Sequence, residues 1–425
     1  MKSRTKQSSM KRVNNQSSFT ATCKPSDTGT SHQLLHRTFW QHLSIVLFLL
    51  LSMGVGFGTA TAPAQTRAYV ANFGSNTVSV IDIATNTVVA TIPVGVAPVG
   101  VAITKDGTRG YVANAGDVTV SVIDTATNTV AATIPVGVEP QQVAITPDGT
   151  RAYVTDISSN TVSVIDTATN TVVATIPVGG EPLGVAITGV AITKDGIRAY
   201  VANASSNTVS VIDTATNTVV ATIPVGAGPE GVAITPDGTR AYVTDISSST
   251  VSVIDTATNT VIATIPVGLH PVGVAITPDG TRAYVANQAD TVSVIDTATN
   301  TVIATIPVGL VPFGVAITPD GTRAYVTNED SNTVSVIDIA TNTVVATIPV
   351  GVAPSGIAIT RVPQAPTSEE ECKHGGYKKF GPPAGPLKNQ GQCISHVEAS
   401  LASGRKGVLI TRAVRFLSVN GGQNC

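Results

Sequence analysis

The chain has 425 residues, 42% of them hydrophobic and only 12% charged, which permits a large buried core and excludes a disordered polyelectrolyte. Its net charge of −2 conceals an asymmetry: residues 1–64 carry +6, residues 65–361 carry −12 and residues 362–425 carry +4. An acidic central segment excludes nucleic acid as its partner, because such binding is driven by neutralising phosphates.

At the N-terminus, Lys2, Arg4, Lys6, Lys11, Arg12, Lys24 and Arg37 precede an uncharged apolar run from Leu43 to Phe57 and then the small-residue stretch Ala62-Pro63-Ala64. This is the order of an export signal. The run is 15 residues long, short of the ~20 that span a bilayer comfortably. Cleavage after Ala64 is expected, with an uncleaved anchor as the alternative. Either topology puts the remainder outside the cytoplasm, secreted or at the cell surface.

From Arg67 onward a segment of about 42 residues recurs seven times, headed by Tyr69, Tyr111, Tyr153, Tyr200, Tyr242, Tyr284 and Tyr325. The spacings are 42, 42, 47, 42, 42 and 41, and β-type sequence at such a period signals a propeller or solenoid. Within the second copy the pattern predicts strands at Gly100 to Thr104, Arg109 to Asn114, Val118 to Asp124 and Thr129 to Gly137, joined by short turns that force antiparallel neighbours. A proline in each fourth strand, such as Pro93 and Pro135, assigns that strand to a sheet edge. Stretches apolar on both faces, such as T-V-V-A-T-I, imply sheets covered on both sides, as in blades stacked around an axis. The 47-residue spacing comes from a tandem duplication, Gly184 to Thr188 and Gly189 to Thr193, of which one copy must bulge or loop out.

The first copy begins with its second strand at Arg67, and the last ends with an orphan first strand, Gly356 to Thr360. Joining the two completes a seventh blade and removes open edges. The predicted fold is therefore all-β: a seven-bladed β-propeller of four-stranded antiparallel blades over residues 65–361, closed by a one-plus-three strand clasp. Residues 362–371, with two prolines and three consecutive glutamates, read as a linker to a small Cys-containing module at 372–425.

The motif Ala-Tyr-Val-[Thr/Ala]-[Asn/Asp], followed by S-V-I-D-T and P-x-G-V-A-I-T-P-D-G, resembles the YVTN family of β-propeller repeats over Arg67 to Arg361. The resemblance implies an exported or surface protein of bacterial or archaeal type and no single activity. The tail, C-K-H-G-G-Y-K-K-F to G-Q-C-I, resembles a Cys-bounded motif of exported bacterial proteins, interrupted by Pro382 to Pro386. That resemblance, with the oxidising compartment, implies a disulfide between Cys372 and Cys393. A zinc site with His374 and His396 is the weaker alternative, since no C-x-x-C pair is present.

Alternate loops of an up-and-down blade open on opposite ends of the ring. One end is monotonous: the Asp-Gly and D-T-A-T-N turns recur almost unchanged. The other varies from blade to blade, and binding residues on rigid scaffolds concentrate in such loops. Nine acids map there with no Lys or Arg, so the candidate ligand face comprises Asp117, Glu139, Asp156, Glu181, Glu230, Asp245, Asp290, Glu329 and Asp330, with His270 and Phe313. Such a field attracts cations and basic partners. The 13 repeated aspartates read as turn formers, with a ring of calcium sites as the alternative, and each repeated tyrosine reads as a packing residue with a bonded hydroxyl.

Residues 65–361 contain one histidine, His270, and no nucleophile signature, phosphate-cradling loop or haem-attachment motif. The sequence thus predicts a binding or adhesion scaffold that is not an enzyme. It requires no cofactor, calcium being the open option, and its partner is a protein or glycan of the cell envelope or a cationic ligand. Membrane contact would come only through an uncleaved N-terminal segment. The alternatives are a calcium-dependent propeller enzyme, lactonase-like or quinoprotein-like, and a purely structural surface-layer component.

Overall fold

A computed structural model describes residues 66–187 and 198–360. The N-terminal segment, the tail with Cys372 and Cys393, and the second copy of the duplicated pentapeptide lie outside the described residues. No helix among the described residues is long and apolar enough to cross a membrane.

Twenty-eight strands, β1 to β28 in chain order, form seven four-stranded antiparallel sheets. In the second repeat they are β4 (Pro98–Ile103), β5 (Arg109–Asn114), β6 (Thr119–Asp124) and β7 (Thr129–Pro135). The duplicated segment contributes its first copy to β12 (Pro182–Ile187).

Turn chemistry sets the strand ends. Asp124 Oδ1 accepts the N–H groups of Ala126 and Thr127 at 3.0 and 2.9 Å, and Asn128 closes the hairpin at φ 54°. The Asp106 carboxylate accepts the Thr104 hydroxyl at 2.6 Å and the Thr108 N–H at 3.0 Å, while Gly107 takes φ 71°. The repeated aspartates at described positions such as these are turn formers.

The terminal clasp is present. β28 (Pro354–Ile359) pairs antiparallel with β1 (Arg67–Asn72), matching Ala68 with Ile359 and Val70 with Ile357. At its end the Arg67 carbonyl accepts the Thr360 N–H at 2.8 Å, and Thr360 Oγ1 accepts the Arg67 N–H at 3.0 Å.

The core lies between blades. Tyr111, Val120, Val122 and Ile134 of one blade pack against Ala152, Val154 and Ile165 of the next, and the last such cluster joins Tyr325, Val334 and Ile348 to Ala68, Val70 and Ile81. Polar links reinforce each seam. Every repeated tyrosine is fully buried and donates its hydroxyl to the turn asparagine of the following blade, from Tyr69 on Asn128 at 3.2 Å to Tyr325 on Asn86 at 2.7 Å. Where the motif reads Thr rather than Ala, the hydroxyl reaches the next inner strand: Thr155 donates to the Leu183 carbonyl and Thr244 to the Val272 carbonyl, at 2.7 and 2.6 Å. The monotonous end repeats because its turns are the latches between blades.

The innermost strands approach one another closely. A Cβ on Gly231 would lie 2.2 Å from the Val272 carbonyl oxygen, so only glycine fits there.

The outer strands correct one expectation. T-V-V-A-T-I is not covered on both faces: in β3 (Thr87–Pro93) Val88 and Val89 are 37% and 50% exposed. At the rim no neighbouring element among the described residues covers the strand. Its register shifts between Val80 and Ile81 of the partner strand, a bulge that twists the exposed edge away from further pairing.

Candidate functional site

At the variable end, the connection entering each inner strand packs against the loop that closes the preceding hairpin. Its apex residue, the one before proline, is left-handed in all seven blades: Ala97, Glu139, Glu181, Gly228, His270, Val311 and Ala353 have φ between 50° and 64°. Six of these are not glycine, and Val311 is β-branched, so the conformation is strained. Hydrogen bonds hold it: Val311 N–H donates to Asp290 Oδ1 at 2.9 Å, and the Val311 carbonyl accepts the Glu329 N–H at 2.9 Å. The scaffold therefore presents a different side chain from the same rigid bend in each blade.

The residue preceding each bend supplies a feature absent from the sequence reading. Val96, Val138, Leu269, Leu310 and Val352 are each 46–59% exposed, a broken apolar ring. Its signal was a large aliphatic two residues before the loop proline in five of seven blades, with Gly180 and Ala227 in the other two. The described basic residues, Lys105 and the arginines at 67, 109, 151, 198, 240, 282 and 323, all belong to the opposite turns or the strand ends beside them.

The predicted site residues divide into three groups. Glu139, Glu181, His270 and Asp330 are exposed on the variable end, Glu329 is half-buried there, and the Glu139 carboxylate accepts the Ser158 hydroxyl. Burial, and then the Asp330 charge, raise the Glu329 carboxyl above its usual range. Asp117 and Asp290 also face this end but cap loops, Asp117 accepting the Val96 N–H at 2.6 Å.

Asp156 and Asp245 do not belong to the face. Both are fully buried, at the last position of the Tyr-Val-Thr-Asp strand, where five other blades carry asparagine. Asp156 Oδ2 accepts the hydroxyls of Ser163 and Thr161 at 2.7 and 3.2 Å, and Asp245 repeats this with Ser252 and Thr250. Burial raises both carboxyls to about 6. The outward field is therefore weaker than a count of nine acids implies.

Glu230 and Phe313 also leave the outer loops. They occupy the x position of P-x-G and line a partly open cavity of about 130 Å³ between the inner strands, with Gln141, Gln142, Leu183 and Val272. Burial, and then the charge of Glu329, raise the Glu230 carboxyl to about 7. Among the described residues no cluster of three or more His, Cys, Asp or Glu could hold a metal ion.

The family model of a YNCE-like β-propeller matches residues 185–283. Comparison with curated proteins gives no match. Among solved structures, hydrazine synthase of Kuenenia stuttgartiensis is 26% identical, with 61% of this chain and 88% of that one aligned at a TM-score of 0.54. A functionally unknown protein from Desulfotomaculum acetoxidans is 22% identical over 69% of this chain and 99% of its own, with a TM-score of 0.62. The dihydro-heme d1 dehydrogenase NirN, in complex with DHE, is 19% identical over 69% and 74% of the two chains, with a TM-score of 0.52. The last two likenesses show the fold alone. The NirN likeness nevertheless overturns one expectation, that this chain is not an enzyme: a protein named as a dehydrogenase shares its fold, so the missing nucleophile signature does not exclude catalysis. The matched family model and the closed ring of seven blades make the chain a β-propeller repeat protein.

Proposed function

We propose that this chain acts outside the cytoplasm as a binding propeller whose variable end takes a basic protein or a cationic glycan of the cell envelope. One observation carries the reading. That end combines blade-specific side chains on rigid left-handed bends, exposed Glu139, Glu181 and Asp330, and an exposed aliphatic ring, with no described Lys or Arg. Acidic and apolar surface together suit a partner with basic and apolar groups, and the field speeds its encounter. The export-like N-terminus supports placement at the envelope.

The test titrates the full chain with an amphipathic lysine-rich peptide at low and high ionic strength. Replacing Glu139, Glu181 and Glu329 with glutamine should weaken binding and flatten its salt dependence, and Leu269→Ser with Leu310→Ser should weaken it at every ionic strength. Wild-type affinity in both variants would remove the variable end from the binding surface. Recovery of the native protein in the cytoplasm would remove the envelope role.

A further inference from the structure

The axial cavity is a second place where the near-perfect repeat is broken, and there the departures are polar. At x of P-x-G the blades carry Val99, Gln141, Leu183, Glu230, Val272, Phe313 and Ser355. The next position is glycine in six of seven, for want of space, yet one blade places Gln142 there. Its side chain lies over Gly100, where a Cβ would come within 2.9 Å of Gln142 Oε1. A crowded wall thus admits one long amide, beside a second from Gln141, in the cavity that holds Glu230.

Among the described residues Glu230 is the one ionisable side chain of the lining, and the other inner strands contribute no described Lys, Arg, His or Asp to it. A half-buried carboxylate with no described cation beside it is partly desolvated, and a cationic guest would relieve that cost. Size and donors narrow the guest. An apolar cavity of about 150 Å³ accepts benzene, so 130 Å³ suits a molecule of similar size. Calcium takes about six to eight oxygen ligands, several of them carboxylates; one carboxylate and two amides are a poor cage for it. Leu183, Val272 and Phe313 instead offer apolar wall to an alkyl or methylated body, and an aromatic ring attracts ammonium groups.

We propose that the axial cavity binds a small organic monocation, an alkylammonium or quaternary ammonium, whose charge is matched by Glu230 and whose body packs against Leu183, Val272 and Phe313. The two sites use different residues except that the charge of Glu329 reaches Glu230, so the test below varies Glu230 and leaves Glu329 in place.

The full chain is titrated calorimetrically with choline, with n-butylammonium, and with 3,3-dimethylbutanol, the neutral counterpart of choline. One-site binding of at least one cation is expected, with the neutral alcohol at least tenfold weaker. Glu230→Gln should weaken the cation at least tenfold without lowering the melting temperature of the unliganded chain, and Phe313→Leu should weaken it several-fold. Glu139→Gln, on the outer rim, should leave it unchanged. Binding that survives Glu230→Gln, equal binding of the alcohol, or no binding of either cation overturns the proposal. Displacement of choline by calcium at Glu230 overturns the assignment to an organic guest.

Discussion

Tyr325 donates its hydroxyl to Asn86 Oδ1 at 2.7 Å, across 239 residues of sequence. The other six repeated tyrosines make the same bond to the following blade, at 2.8 to 3.2 Å, so the seam where the two ends of the chain meet is latched like every other. Tyr325→Phe should cost about 1 kcal/mol and Asn86→Ala somewhat more, because the buried tyrosine hydroxyl then loses its acceptor. A double-mutant cycle read by denaturant unfolding should return a coupling above ~0.5 kcal/mol. A coupling of zero would leave the bond without weight in closure.

Closure can also be tested by removal. Deleting residues 355–425 takes away nearly all of β28 and leaves β1 with an unpaired edge, which should aggregate. Deleting only residues 362–425 keeps the pairing of Ala68 with Ile359 and the Thr360 bonds, and should leave a soluble ring. Size-exclusion chromatography and melting temperature distinguish the two; equal behaviour would contradict the clasp.

Asp156 and Asp245 give a pH signature. Both carboxyls rise to about 6 in the folded chain through burial, against about 3.9 unfolded. The folded state therefore holds protons that the unfolded state releases, and stability falls as pH rises from about 4 to about 6, then levels. Asp156→Asn or Asp245→Asn should remove this loss, and asparagine already bonds the same Ser and Thr pair elsewhere, as Asn203 does with Ser210 and Thr208. At about 1.36 kcal/mol per unit, the gain at pH 7 should be roughly 1–3 kcal/mol per site and should vanish near pH 4. Calorimetric melting at the two pH values checks it.

The two ends should respond oppositely to loss of acid. Glutamine at Glu139 and Glu181 should shift stability by less than about 0.5 kcal/mol each. Alanine at Asp148, Asp237 or Asp279 strips a turn of its acceptor and should cost about 1 kcal/mol each, while peptide binding at the variable end is spared. Hydrogen bonds to Thr235 and Thr277 hold the carboxyls of Asp237 and Asp279 below the usual range, so this contribution is present at neutral pH and lost as acid protonates them.

Period, strand order and clasp were legible because each is written seven times, and a single misplaced turn would conflict with six others. The site was legible only as an end of the ring. Assigning Asp156 and Asp245 to the surface failed although their equivalent, Asn114, was correctly read as the last residue of its strand: an acid at a strand end was counted with the loop that follows it. Their equivalence to Asn72, Asn114, Asn203, Asn287 and Asn328 was visible, and a charge that substitutes for a neutral amide in an otherwise fixed motif points inward. Glu230 and Phe313 were assigned to the correct end but not to the axis, since strand periodicity gives a side chain's face and not how closely seven inner strands converge.

The latch between blades has a further consequence for how such a chain can change length. Each repeat carries both halves of the joint: a tyrosine that reaches forward and an asparagine that receives the reach from behind. A copied or deleted repeat therefore presents matching halves at both of its borders, and recombination in whole units never leaves a tyrosine without its acceptor. The parts of the ring free to diverge are those the joint does not use, the bends before proline and the residues on the axis. They are also the parts in which these seven near-copies differ most.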